Sequence, residues 1–275
     1  MRLATNLLLF ILVLTAAPLL MAACMFRSFL YYPTATSPEQ LSRIARAYGW
    51  EVAQLTTEPG IEVVGLLRPP TEPGLPWALF FGGNAMDLGS SQWALQKVDG
   101  DRGFGLAVFA YRGYDGSGGE PTEKGLFHDA EAIADWLEKE RGVASSELVL
   151  VGQSLGSGIA AHLAAVISRD GGAVRGLALL SPYTSIARVF DDHVPVLPIG
   201  WVIQDRYDTK ALLDDLRGPV VIVHGNEDEI ISVRHGRELA DSLGDRARIE
   251  LLETFGHNDL WESPKTAEAV RRLLE

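Results

Sequence analysis

Gly152-Gln153-Ser154-Leu155-Gly156 constrains this 275-residue chain more than any other stretch. Before it, Glu147-Leu148-Val149-Leu150-Val151 is an apolar run of strand length. Behind it, Ile159-Ala160-Ala161 and Leu163-Ala164-Ala165-Val166-Ile167 are small and apolar, helical in character, and end near Arg169-Asp170-Gly171-Gly172. A serine framed by two glycines between a strand and a helix predicts a sharp, strained turn that exposes Oγ at the tip of a sheet. Side chains at the two glycine positions would strike the neighbouring strand or helix. The helix start also directs free N–H groups and its positive dipole end toward a reacting oxygen. In a chain with 28 glycines the five-residue pattern alone is weak, and the strand and helix around it make it specific.

The rest of the chain supplies strands and helices in alternation. Runs 52–56 and 61–67 predict a hairpin turning at Glu58-Pro59-Gly60. Trp77-Ala78-Leu79-Phe80-Phe81 predicts a buried strand, and runs 105–110, 176–180, 220–223 and 248–252 predict further strands. Helices are predicted over 38–48, 90–98 and 266–274. Another is predicted over 124–140, where Ala130, Ile133, Trp136 and Leu137 share one face. Apolar strands alternating with helices imply an α/β fold, a mostly parallel sheet covered on both faces. Polar functional groups then belong at the carboxyl ends of the strands.

A serine hydroxyl is a poor nucleophile until a base takes its proton, and the base needs an orienting acid. The acid is expected after a strand beyond the serine, where His224-Gly225-Asn226-Glu227-Asp228-Glu229 offers three carboxylates. Asp228 is the expected acid: it lies three residues past the strand's last glycine, and its side chain is short. Glu227 and Glu229 are expected to be solvated. Of the six histidines, His235 and His257 follow Asp228. His257 sits in a loop behind Gly256 after the last strand and is the expected base. His235 falls in a helical run and is expected on its exposed face, while His128, His162, His193 and His224 read as surface or packing residues. A developing oxyanion needs two preorganised donors. The expected pair is the N–H of Leu155 and the N–H of Asn84, in the loop after the Phe80-Phe81 strand.

Six segments in register then carry a family resemblance. They are Phe81-Gly82-Gly83-Asn84-Ala85, Tyr111-Arg112-Gly113-Tyr114, Gly152-Gln153-Ser154-Leu155-Gly156, Ser181-Pro182-Tyr183-Thr184-Ser185, His224-Gly225-Asn226-Glu227-Asp228 and Gly256-His257-Asn258-Asp259. From about residue 52 to the end, the chain resembles the α/β-hydrolase superfamily, and within it the ABHD-type, serine aminopeptidase-like branch. The resemblance implies an α/β-hydrolase fold, a Ser154–Asp228–His257 triad, and oxyanion donors at Asn84 and Leu155. It also implies an esterase, thioesterase or lysophospholipase activity on a small-molecule or acyl-chain substrate. A serine aminopeptidase, or an inactive binding lipoprotein on the same fold, are the alternatives. Gly82 departs from the family, which usually has a histidine there to brace the loop.

Residues 1–26 read as a signal or anchor segment, 27–50 as a tether with a short helix, and 51–275 as the hydrolase domain. Stretch 186–218 offers a small cap. Within it Val194-Pro195-Val196-Leu197-Pro198-Ile199-Gly200-Trp201 either lines an acyl pocket or packs over the sheet edge. Residues 7–26 carry no charge and are long enough to span a bilayer. Cys24, the single cysteine, follows Leu20-Met21-Ala22-Ala23 as in a lipoprotein processing site, so lipidation and a transmembrane anchor both stand. Either predicts membrane association through the N-terminus, on the extracytoplasmic side. The net charge is −12, and Arg2 and Arg27 are the only charges in the first 30 residues, so the body is acidic. That argues against a nucleic-acid partner. No cofactor is expected, and no metal-binding, dinucleotide or phosphate-loop pattern is present.

Overall fold

The computed structural model describes residues 26–194 and 203–275. Eight strands form one sheet: β1 (Glu51–Glu58), β2 (Ile61–Arg68), β3 (Trp77–Phe81), β4 (Gly105–Phe109), β5 (Leu148–Gln153), β6 (Gly176–Leu180), β7 (Val220–Gly225) and β8 (Ala247–Leu252). Their order across the sheet is β1-β2-β4-β3-β5-β6-β7-β8. The β1–β2 and β2–β4 pairs are antiparallel, and the remaining pairs are parallel. Strand burial follows position. Every residue of β3, β4, β5, β6 and β7 is buried, which is why these strands are continuous apolar runs in the sequence. At the edge, β1 alternates exposed and buried residues along most of its length.

Helices accompany the sheet at α1 (Pro38–Tyr48), α2 (Leu88–Asp99), α3 (Glu123–Arg141), α4 (Leu155–Arg169), α5 (Ile186–His193), α6 (Thr209–Leu213), α7 (Val233–Leu243) and α8 (Pro264–Leu274). Local chemistry sets their ends. Ser37 and Gln40 form a capping box on α1, and Thr122 caps α3, which stops at left-handed Gly142. Two glycines show that both faces of the sheet are covered. A side chain on Gly152 of β5 would run into α4, 2.4 Å from the Gly156 carbonyl oxygen. Gly152 pairs with Leu179 of β6, so Gly176, an odd number of positions away, points to the opposite face. There a side chain would meet Leu273 of α8 at 2.9 Å.

The expected tether is no free linker. Residues 26–30 are helical, and Phe26, Leu30 and Tyr31 are buried against the domain. Phe26 packs on Phe190 of α5 with ring centroids 5.0 Å apart. Arg27 Nε donates to Asp205 at 2.9 Å, and the Tyr31 and Tyr207 hydroxyls share a buried 2.8 Å hydrogen bond. The signal or anchor segment up to residue 25, with Cys24, lies outside the described residues, as does 195–202 of the expected cap. Among the described residues no helix is long and apolar enough to cross a membrane.

Candidate active site

Ser154 joins β5 to α4 at φ 51° and ψ −118°, a conformation that an L-residue adopts only at a cost of about 1–3 kcal/mol. Neighbouring contacts hold it there. Its N–H donates to the Leu180 carbonyl at 2.9 Å, and its own carbonyl accepts from the Ser157 hydroxyl at 2.7 Å. The turn leaves no room on either side. A Cβ on Gly156 would lie 2.0 Å from the Phe81 carbonyl oxygen, so backbone meets backbone there and only glycine fits.

Three strand ends then converge. His257 Nε2 is 2.9 Å from Ser154 Oγ, and His257 Nδ1 is 2.8 Å from Asp228 Oδ2. Asp228 follows β7 and its side chain is fully buried, while Glu227 and Glu229 on either side are exposed. Oδ1 of Asp228 accepts from the backbone N–H groups of Ile230 and Ile231 at 3.0 and 2.7 Å. Oδ2 also accepts from the Ser181 hydroxyl at 2.8 Å. Burial alone would raise the pKa of this carboxyl. Hydrogen bonds from His224, His257 and the Ile231 N–H outweigh it and hold the group well below the usual carboxylate range. An ionised Asp228 accepts the Nδ1 proton of His257, which leaves Nε2 as an acceptor facing Ser154.

The two expected oxyanion donors flank the serine. Leu155 is the first residue of α4, where a backbone N–H has no partner within the helix. Asn84 follows β3 and shares a cavity of about 830 Å³ with Ser154 and His257. Trp93, Ile230 and Trp261 form apolar walls of this cavity, and Asp87, whose Oδ1 caps α2 by accepting from the Ser90 N–H, and Glu262 also line it. The Trp261 indole N–H is fixed by Gln153 Oε1 at 2.7 Å. Among the described residues no group of His, Cys, Asp and Glu is placed to hold a metal ion.

A family model for the α/β-hydrolase fold matches residues 124–196. A Mycobacterium tuberculosis protein is 32% identical over 251 residues, covering 90% of this chain and 86% of its own length. A putative α/β hydrolase of Acanthamoeba polyphaga mimivirus is 30% identical over 212 residues, covering 76% and 77%. The chain belongs to the α/β-hydrolase family. In three dimensions the α/β-hydrolase of Vibrio vulnificus superposes with a TM-score of 0.71 at 22% identity, over 90% of this chain and 88% of that one.

Several contacts at this α/β-hydrolase site are absent from the sequence reading. Where the family usually has a histidine, the carbonyl of Gly82 accepts the Tyr111 hydroxyl at 2.6 Å, so the loop is braced through its backbone. Ser181 leaves β6 at φ 43°, a positive value uncommon for a residue other than glycine. Its place in the Ser181-Pro182-Tyr183 motif was the available clue to its contact with Asp228. His224, expected as packing, is indeed buried, but its Nε2 also lies 3.4 Å from Asp228 Oδ2 while donating to the Ile231 carbonyl at 2.8 Å. His235 corrects the sequence reading. Its side chain is 1% exposed, with Nε2 2.9 Å from Asp192 and Nδ1 accepting from the Thr184 N–H at 3.2 Å. Positions 235, 239 and 243 fall four apart, so His235 lies on the same buried stripe as Leu239 and Leu243. His128, His162 and His193 bond to the Thr57 carbonyl, to Glu131 and to the Ile230 carbonyl.

Proposed function

We propose that this chain is a serine hydrolase that cleaves carboxylic ester or thioester bonds through an acyl-enzyme. The observation that carries the reading is the unbroken hydrogen-bond chain from Ser154 through His257 to a buried, ionised Asp228. His257 Nε2 takes the Ser154 proton as Oγ attacks the acyl carbon. The N–H groups of Leu155 and Asn84 receive the developing oxyanion. His257 then returns its proton to the leaving alcohol or thiol, and water repeats the sequence on the acyl-enzyme. Apolar walls at Trp93, Ile230 and Trp261 suit an acyl or other apolar group beside the serine.

The decisive experiment is ester hydrolysis by Ser154→Ala. The variant should fold normally and lose about 10⁴-fold or more in kcat, and it should no longer react with a fluorophosphonate probe. Hydrolysis retained in the purified variant, above a mock preparation, would overturn the reading. Glu262, an exposed carboxylate residue lining the cavity, favours one second reading, a peptidase that holds a substrate α-amine on a carboxylate. Aminoacyl amides cleaved faster than simple esters would establish it instead.

A further inference from the structure

Asn84 carries its carbonyl oxygen into a small hydrogen-bonded ring. The Tyr32 N–H donates to Asn84 Oδ1 at 2.9 Å and lies 3.0 Å from the Tyr114 hydroxyl oxygen. The Tyr114 hydroxyl donates to the same Oδ1 at 3.1 Å. Tyr114 is 1% exposed and stands edge-on to Tyr111, with ring centroids 5.7 Å apart. Tyr111 in turn holds the Gly82 carbonyl, two residues before Asn84. Burial pushes the Tyr114 phenol above its ordinary pKa, so its hydroxyl stays protonated and remains a donor.

Tyr32 is itself fixed from both sides. Tyr31 is buried against Tyr207, and Arg27 is paired with Asp205. Beyond it, the Thr34 carbonyl accepts from the Asp115 N–H at 2.9 Å, and Thr36 Oγ1 donates to Asp115 Oδ1 at 2.9 Å. The other oxygen of Asp115 accepts from the N–H of Leu88, the first residue of α2. Residues 27–36 thus form a strap whose ends are tied to the domain and whose middle grips the loop behind Ser154.

We propose that the Tyr114 hydroxyl and the strap's Tyr32 N–H are positioning groups for the oxyanion loop: by holding Asn84 Oδ1 they fix where the Asn84 backbone N–H points. This rests on the serine-hydrolase reading above, with Asn84 as a donor. Neither group touches substrate. Their effect falls on the transition state, where the oxyanion exists, and spares ground-state binding of an ester.

The test uses the full chain with Tyr114→Phe, Asn84→Ala and the double variant, assayed on a short neutral ester. Asn84→Ala keeps the backbone N–H and removes only the side chain that the strap grips. Each single variant should lower kcat about 10-fold, below the 10²–10³-fold cost of deleting an oxyanion donor outright, with KM within about twofold of the parent. Inhibition by a trifluoromethyl ketone, which forms a bound oxyanion, should weaken in step with kcat. The double variant should be no worse than Asn84→Ala, because the hydroxyl acts through Oδ1. Thermal unfolding of Asn84→Ala should match the parent, which separates positioning from a loss of fold. Parental kcat in both single variants, additive losses, or a loss confined to KM would overturn the proposal. If the parent has no activity that Ser154→Ala removes, the serine-hydrolase reading falls instead.

Discussion

Asp228 shows how one residue is chosen from three. Glu227 and Glu229 are its neighbours in sequence, yet both are exposed, and only Asp228 turns inward to two backbone N–H groups, Ser181 and His257. Asp228→Asn should therefore lower kcat by about 10³–10⁴-fold, because an amide no longer fixes the His257 tautomer. Glu227→Gln and Glu229→Gln should stay near the parent value in the same ester assay. A larger loss from either glutamate would reassign the acid. The depressed pKa adds a pH consequence with a definite sign. Asp228 contributes stability that is complete above about pH 4, its unfolded value, and is lost as pH falls toward the folded one. The grouping of Ser154, Asp228 and His257 was legible in the sequence because each follows the end of its own strand, where position is set locally. Tyr32, Tyr114 and Ser181 were not, because their partners are 52, 30 and 47 residues away and no local pattern encodes such pairings.

At the scale of elements, α7 and the segment after β6 meet through His235. Its neutral ring donates to Asp192 of α5 and accepts from Thr184. Burial lowers its pKa first; Asp192 opposes that shift, and Arg188 and Arg234 add to it. Unfolding releases the ring into water, where it takes a proton near pH 6.5. Below that pH the unfolded chain binds more protons than the folded one, so stability falls as pH falls. His235→Gln can keep a donor and an acceptor without titrating. Urea unfolding of this variant should show a shallower loss of stability between about pH 6.5 and 5 than the parent. Some slope should remain, because half-buried His162 is lowered in the same sense, first by its loss of hydration. An unchanged slope would remove His235 from the account. The helix itself was predictable, and its buried face was misread because a histidine stands where the stripe calls for leucine.

For the whole molecule, charge and cavity point the same way. The chain carries −12, and among the described residues lining the cavity none is lysine or arginine, while Asp87 and Glu262 are acidic. A polyanionic leaving group approaches such a mouth against the field of the protein. For one acyl group, kcat/KM should be higher on a neutral ester or thioester than on the coenzyme A thioester. Raising the ionic strength should narrow the gap, because salt screens charges beyond about 8 Å at physiological strength. A coenzyme A thioester preferred at low salt would overturn this. The mostly parallel sheet and its two-sided cover were legible from the alternation of apolar runs, whereas the order of the strands across it was not. The docking of residues 27–36 was not, because a run such as Tyr31-Tyr32-Pro33 reads equally well as linker or as packing.

The strap also imposes an order in time. Tyr31 and Arg27 are made early in synthesis, but Tyr207 and Asp205 follow them by 176 and 178 residues. A contact that closes so long a loop forms late, after the local helices and neighbouring strands have settled. Until then the Arg27 and Tyr31 contacts do not yet hold the N-terminal side of the grip on Asn84. A growing or refolding chain should thus acquire its helices and sheet before it reaches full activity. In refolding from urea, far-ultraviolet circular dichroism should recover ahead of esterase activity. Simultaneous recovery of the two would show that the site is complete before the strap arrives.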